Sequence, residues 1–293
     1  MSERLTFENF SPVGHGLDNI YQIGVNDEHP SGVGQEMAAA FNYDLTPRPD
    51  VDNLGGLISE VGRNKELQKN IAVAQSVLGP EAVTTARDWA ERSGLLLPVE
   101  RIFTTAEQAD GDIDLAIITG GVRNWMARRA NRLAELIPLR RVGGVLLAAG
   151  NRIMSPVEGP DVEEGMTEAD YMSTVIAPKL GELGIRAELL RVETGVGDEV
   201  MSRVAIKSYD LVNSSAHIAV VSNAGNWVQN AGQYLRAVKK AHPEFDTQND
   251  QLEAVSDSFP LGTGVEPAAS HQNPLSAIGQ IARNLQEFAR HAS

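Results

Sequence analysis

From residue 112 onward, short apolar runs alternate with longer stretches whose apolar positions recur at helical spacing. The clearest unit spans 114–136. Residues 115–118 (Leu-Ala-Ile-Ile) make an apolar run of strand length, and Thr119-Gly120-Gly121 makes a turn poor in side chains. Beyond Asn124, the residues Met126, Ala130, Leu133, Ala134 and Ile137 fall at helical spacing with arginines between them. The spacing predicts strand, glycine turn and helix, the opening unit of an open α/β sheet. Residues 145–148 repeat the apolar run and end at Ala149-Gly150-Asn151-Arg152. A Pro/Gly/acid loop over 153–166 follows, long enough to act over the sheet. Thr167 is predicted to cap a helix through Leu183, with Asp170 in the place of a capping-box glutamate. Pro178 should kink or split that helix and Gly184 should end it. A third strand is expected over 187–192, a helix over 199–214, and a strand buried on both faces over 217–221. A helix from Trp227 to about Lys240, a last strand within 251–259 and a final helix over 274–291 complete the pattern.

The first third of the chain has a different texture. Residues 1–56 are rich in Gly, Pro, Asn and Asp and predict an irregular N-terminal arm. Residues 57–110 predict a helical appendage, with helices at 66–78 and 81–92 punctuated by Gly79-Pro80 and Ser93-Gly94. Residues 111–293 then form the main domain. Strands separated by helices favour a mainly parallel sheet, because parallel neighbours need crossover connections. The expected architecture is a three-layer α/β/α sandwich with about five strands, Rossmann-like, plus the appendage.

Such sheets bind ligands at the carboxyl ends of their strands. Four strand ends should gather there, each small, polar or glycine-rich: Thr119, Gly120 and Gly121; Gly150, Asn151 and Arg152; Glu193 through Asp198; and Ser222, Asn223 and Asn226. Free N–H groups and the helix dipole at the first turn suit a phosphate or carboxylate. Arg123 and Arg152 would add positive charge, and Glu168 and Glu193 are the candidate acid–base groups. Glu168 reads equally as favourable charge at a helix N-terminus, and Asp198 as a cap. Glu168, Glu193 and Asp198 together could hold ribose or sugar hydroxyls, or a divalent cation; their spacing does not choose. Trp125 and Trp227, at helix starts, are either core residues or stacking platforms.

Composition narrows these options. The chain has 293 residues, 42% apolar, enough for a sizeable core. With no cysteine, disulfides, thiolate catalysis and Cys-ligated metals are excluded. A net charge of −14 argues against nucleic acid as the partner. One window runs against it, with Arg123, Arg128, Arg129, Arg132, Arg140 and Arg141 close together. It is either a solvated helix face or an anion-attracting rim over the glycine turn. The first ten residues lack the charge and apolar order of a signal peptide, and no apolar stretch of about 18 residues exists, so the expected setting is cytoplasmic with no membrane span.

The familiar sequence signatures are missing. Gly120-Gly121 is followed by Val122-Arg123-Asn124, and Gly195-Val196-Gly197 lacks the third glycine of the dinucleotide fingerprint. Neither a phosphate-loop sequence nor a nucleophile elbow occurs. The six histidines never stand three or four apart, so no metal site is expected from them; His217 reads as structural, and His271 is the better placed to line a crevice.

The chain over about 112–245 resembles the YdcF/SanA-like bacterial family of unknown function. The likeness is carried by Thr119-Gly120-Gly121, Ala149-Gly150, Thr167-Glu168-Ala169 and the strand-end Glu193. Gly197-Asp198-Glu199-Val200 lacks the family's Asn, and Ser222-Asn223-Ala224-Gly225-Asn226-Trp227 lacks its His and Arg. The resemblance implies a Rossmann-like fold and a nucleotide-like or phosphate-bearing ligand. Two functions are therefore expected. The first is binding of a small anionic or nucleotide-type ligand, with S-adenosylmethionine or a nucleotide as the cofactor class, for transfer or hydrolysis. The alternative is a non-catalytic, homo-oligomeric scaffold that retains the fold without the chemistry.

Overall fold

The computed structural model describes residues 111–193, 198–212, 216–223, 226–243 and 251–257, with the short strands Val25–Asn26, His29–Pro30 and Val99–Ile102. The predicted helices at 66–78, 81–92 and 274–291, most of the N-terminal arm, and the Gly195-Val196-Gly197 turn lie outside the described residues. Two compact units are present. One comprises 1–97, 224–229 and 258–293, and within it Val25–Asn26 pairs antiparallel with His29–Pro30. The other comprises 98–223 and 230–257 and holds the main sheet.

That sheet has six strands: β1 (Val99–Ile102), β2 (Leu115–Thr119), β3 (Val145–Gly150), β4 (Ala187–Val192), β5 (His217–Ser222) and β6 (Gln251–Ser256). Their order is β1-β6-β5-β2-β3-β4, parallel from β6 to β4, with β1 antiparallel on the β6 edge. The parallel strands thus follow the order of a Rossmann-like sheet, and the chain reverses its direction of travel between β2 and β5. Ile117 faces Leu146 on one side and Val220 on the other, so the three central strands run together as the apolar pattern requires. One difference from the sequence reading is β1, which comes from the stretch assigned to the helical appendage. Val-Glu-Arg-Ile has two charged residues in four, a composition tolerated on an edge.

Helix α1 (Arg123–Leu136) lays Met126, Ala130, Leu133 and Leu136 against Ala116 and Ile118 of β2 and Leu147 of β3, all fully buried or nearly so. Burying each large aliphatic here contributes roughly 1.5–3 kcal/mol. The alternate strand residues Ile117, Leu146 and Val220 are equally buried, so the opposite face is covered too. There α4 (Asp198–Asp210) and α5 (Trp227–Ala241) bury Met201, Val204, Leu235 and Val238 and meet through a 2.7 Å bond between Ser208 and Tyr234.

The helix predicted from Thr167 forms in three joined pieces: α2 (Glu168–Tyr171), a π-helical segment (Met172–Ile176) and α3 (Ala177–Glu182). Thr167 and Asp170 make the reciprocal capping box. Pro178 does not break the helix. The turn before it widens, with the Ala177 N–H reaching back five residues to Met172 O, and the proline sits in the first turn of α3, where its missing N–H matters least. Gly184, at φ +79°, closes the helix: its N–H donates to Gly181 O, and the Ile185 N–H donates to Leu180 O, with Ile185 and Leu180 in the core.

At the sheet's other end His217 is buried at the start of β5. Its Nε2 lies 2.9 Å from Oε2 of the fully buried Glu253, out of line for a hydrogen bond. Arg140 supplies the directed contact, donating to Glu253 Oε1 at 2.9 Å and to Gly111 O. Among the described residues, no helix is long and apolar enough to cross a membrane.

Candidate functional site at the strand carboxyl ends

The point where the strand order reverses is occupied by Arg129. It lies on the apolar stripe of α1, three residues after Met126 and four before Leu133, and is 3% exposed. Its Nε donates to Asn223 Oδ1 at 2.8 Å, and Nη1 donates to Thr119 O at 2.6 Å, Thr119 Oγ1 at 2.8 Å and Gly120 O at 2.9 Å. One guanidinium therefore ties the end of β2 to the end of β5. The Trp125 ring lies 5.9 Å from its centre, a cation–π contact. Burial pulls the Arg129 pKa down to about 10, with Asp257 and Glu168 pulling the other way, so it remains charged at neutral pH. Ser222 is fully buried and accepts from Asn230 Nδ2 at 2.6 Å. Thr119, Ser222 and Asn223 thus stand at the strand ends as expected, but their side chains serve the protein's own bonds.

A second cluster lies over β2 and β3. Arg152 donates through Nε to Glu168 Oε1, through Nη1 to Glu158 Oε1 at 2.9 Å, and through Nη2 to Gly121 O at 3.0 Å. Glu168 is buried at the start of α2, and its other oxygen, Oε2, accepts no bond among the described residues. That oxygen stands 2.6 Å from where a Cβ on Gly120 would be and 4.0 Å from one on Gly150. Gly120 leaves the space that the carboxylate fills.

The loop after β3 closes this cluster. Its 3₁₀ turn Pro156–Glu158 brings Glu158 to the first N–H of α1, on Arg123, at 2.9 Å. The helix N-terminus expected to hold an anion holds this carboxylate. Arg123 in turn grips Asp161 with both ends of its fork, at 2.5 and 2.9 Å, and Tyr171 Oη donates to the same carboxylate at 3.0 Å. Burial pushes Glu158 up, but Arg152 and the N–H groups of Arg123 and Ser155 outweigh it and hold the carboxyl below its usual range. Arg123 likewise keeps Asp161 low, with help from Tyr171. Losing its proton beside Asp161 from a buried position is unfavourable for Tyr171, whose pKa rises to about 12. The guanidiniums of Arg123 and Arg152 are thereby matched by the carboxylates of Glu158, Asp161 and Glu168, while Arg129 donates to Asn223, Thr119 and Gly120.

The remaining expected residues are more scattered. Asn151 is exposed and accepts from Arg191 at 3.3 Å. Glu193 is exposed at the end of β4, two strands from the reversal point, with no bond to the Glu168 cluster among the described residues. Asp198 begins α4, and its side chain lies outside the described residues. Asn226 is buried just before α5. Among the described residues, no three His, Asp or Glu side chains group as a metal site.

The arginine window corrects one of the two sequence readings, because most of it is no solvated face. Arg128 pairs with Asp257 at 2.6 Å, Arg132 with Glu135 and the Ser256 carbonyl, and Arg140 with Glu253; Arg141 is exposed. Arg129 enters the sequence reading only as one member of the arginine window, and Glu158 and Asp161 were not singled out. An arginine on an apolar stripe is the signal for the first, and Ser155-x-x-Glu158, a capping-box spacing, for the second. Against family descriptions, curated proteins and solved structures, the chain finds no match.

Proposed function

We propose that the chain binds a small anionic or nucleotide-type ligand at the carboxyl ends of β2, β3 and β5, for transfer or hydrolysis, in a reducing, cytoplasmic setting. The reading rests chiefly on Glu168 Oε2, a carboxylate oxygen that accepts no bond among the described residues and that a side chain on Gly120 would meet. In this reading Oε2 accepts a hydroxyl of the ligand, and Arg152 with the Arg123 N–H takes its anionic group. The likeness to the YdcF/SanA-like family, carried by Thr167-Glu168-Ala169, supports the same ligand class.

The test is a thermal-shift and calorimetric panel of nucleotides, S-adenosylmethionine and sugar phosphates. A true ligand at one hundred times its Kd should stabilise the protein by about 2.7 kcal/mol. Glu168→Gln should weaken binding without unfolding the chain. No stabilisation by any compound, with Gly121→Asp as stable as wild type, would overturn the reading.

The scaffold reading has one observation in its favour: the guanidiniums of Arg123 and Arg152 are already matched by the chain's own carboxylates. A silent panel together with a defined oligomer by light scattering would support it. A monomer that binds one of the panel would exclude it.

A further inference from the structure

The loop between β3 and α2 is fastened at two buried points, Met154 and Val162. Between them no residue is buried, and Val157 is 92% exposed. Ile153, just outside the first anchor, is 66% exposed. Burial therefore does not hold residues 155–161 in place. Charge does: Glu158 on Arg152 and on the Arg123 N–H, and Asp161 on the Arg123 fork. Within the turn itself, the Ser155 N–H adds a 3.2 Å bond to Glu158, and the Glu158 N–H donates to Ser155 O at 2.8 Å.

We infer that residues 155–161 form a charge-latched flap, in which Glu158 occupies the place of the ligand's oxyanion and yields to it. This rests on the anion-binding reading above. The geometry carries it in two steps. Glu158 Oε2 sits on the first free N–H of a fourteen-residue helix while Oε1 sits on a guanidinium, the donor pair a phosphate or carboxylate oxyanion would require. No residue of 155–161 lies in the core, so what holds the segment is mainly its two carboxylates, Glu158 with a side chain 15% exposed and Asp161 on Arg123 and Tyr171, and lifting it returns both to water. Met154 and Val162 stay in the core as the hinges of that movement.

Hydrogen exchange on the full chain tests this, with sodium phosphate as probe and sodium chloride at matched ionic strength as control. Glu158→Gln should speed exchange across 155–161 by about ten-fold, as expected for losing a charged hydrogen bond. Phosphate, but not chloride, should open the same segment in wild type while protecting residues 120–123. Phosphate should also bind Glu158→Gln about ten-fold more tightly, since its competitor is weakened. An unchanged flap in Glu158→Gln, or phosphate and chloride acting alike on wild type, overturns the latch. Protection of 120–123 by phosphate with the flap still closed sinks the latch but leaves the anion reading standing. No protection of 120–123 in either protein removes both.

Discussion

Replacing Arg129 with methionine keeps most of the buried stem and removes the guanidinium, which makes it a clean probe of the tie between β2 and β5. Four acceptors lose their donor: Asn223 Oδ1, Thr119 O, Thr119 Oγ1 and Gly120 O. Stranding a buried acceptor costs about 1–3 kcal/mol. These four share one site and the Thr119 hydroxyl can turn elsewhere, so roughly two full penalties apply. Removing a desolvated charge returns part of that. The expected net loss is about 2–4 kcal/mol, a fall in Tm of roughly 5–15 °C for a chain of this size. Arg129→Lys keeps the charge but reaches fewer acceptors and should lose about half as much. A double-mutant cycle with Asn223→Ala should give a coupling of about 1–2 kcal/mol in urea unfolding. Because Arg129 is buried, the loss should change little between low and high salt. An Arg129→Met protein within about 0.5 kcal/mol of wild type, or a cycle with no coupling, refutes the claim that this side chain joins the two strand ends.

Two glycines separate stability from function. A Cβ on Gly143 would stand 2.7 Å from the Asp114 carbonyl, a backbone atom held by the sheet, so Gly143→Ala should lose about 1–3 kcal/mol in urea unfolding with ligand affinity unchanged. Gly120→Ala instead meets the Glu168 carboxylate at 2.6 Å, with Ala149 at 3.1 Å, so it should abolish binding in the calorimetric panel as well as cost stability. The α2 cap gives a pH prediction. Bonds from Thr167 and Arg191 hold Asp170 at a pKa of about 2 in the folded chain, against about 3.9 when unfolded. A lowered folded value means the contribution is present above the unfolded pKa and lost as pH falls through the folded one. The gap in stability between wild type and Asp170→Asn should be constant down to about pH 4 and close towards pH 2 in urea titrations; a gap that persists at pH 2 would contradict the assignment.

The strands and helices of the parallel sheet were legible because each obeys a local rule. The apolar runs at Leu115–Thr119 and Val145–Gly150 are buried on both faces, and Thr167-x-x-Asp170 caps its own helix. The partners of the arginines were not legible, because they are remote: Asp257 lies 129 positions from Arg128, and Glu253 lies 113 from Arg140. No window-based pattern carries that information, so side chains that read as a solvated face turned out to be mostly paired and half-buried or buried. The position of the strand carboxyl ends was visible in the glycine and asparagine turns. Their occupation by the chain's own Glu158 was not, since that depends on a loop folding back across 35 residues to Arg123.

The buried Glu253 has a consequence for how β6 finds its place. Leu252, Glu253, Ala254, Val255 and Ser256 are all buried, so hydrophobicity alone hardly distinguishes one threading of this strand from its neighbour. A slip by one residue would carry the carboxylate through the sheet to the opposite side, away from Arg140, and strand a charge in the interior. The ion pair thus works as a proofreading mark. It contributes little to the depth of the native well, but it penalises the one-residue slip that burial alone would tolerate.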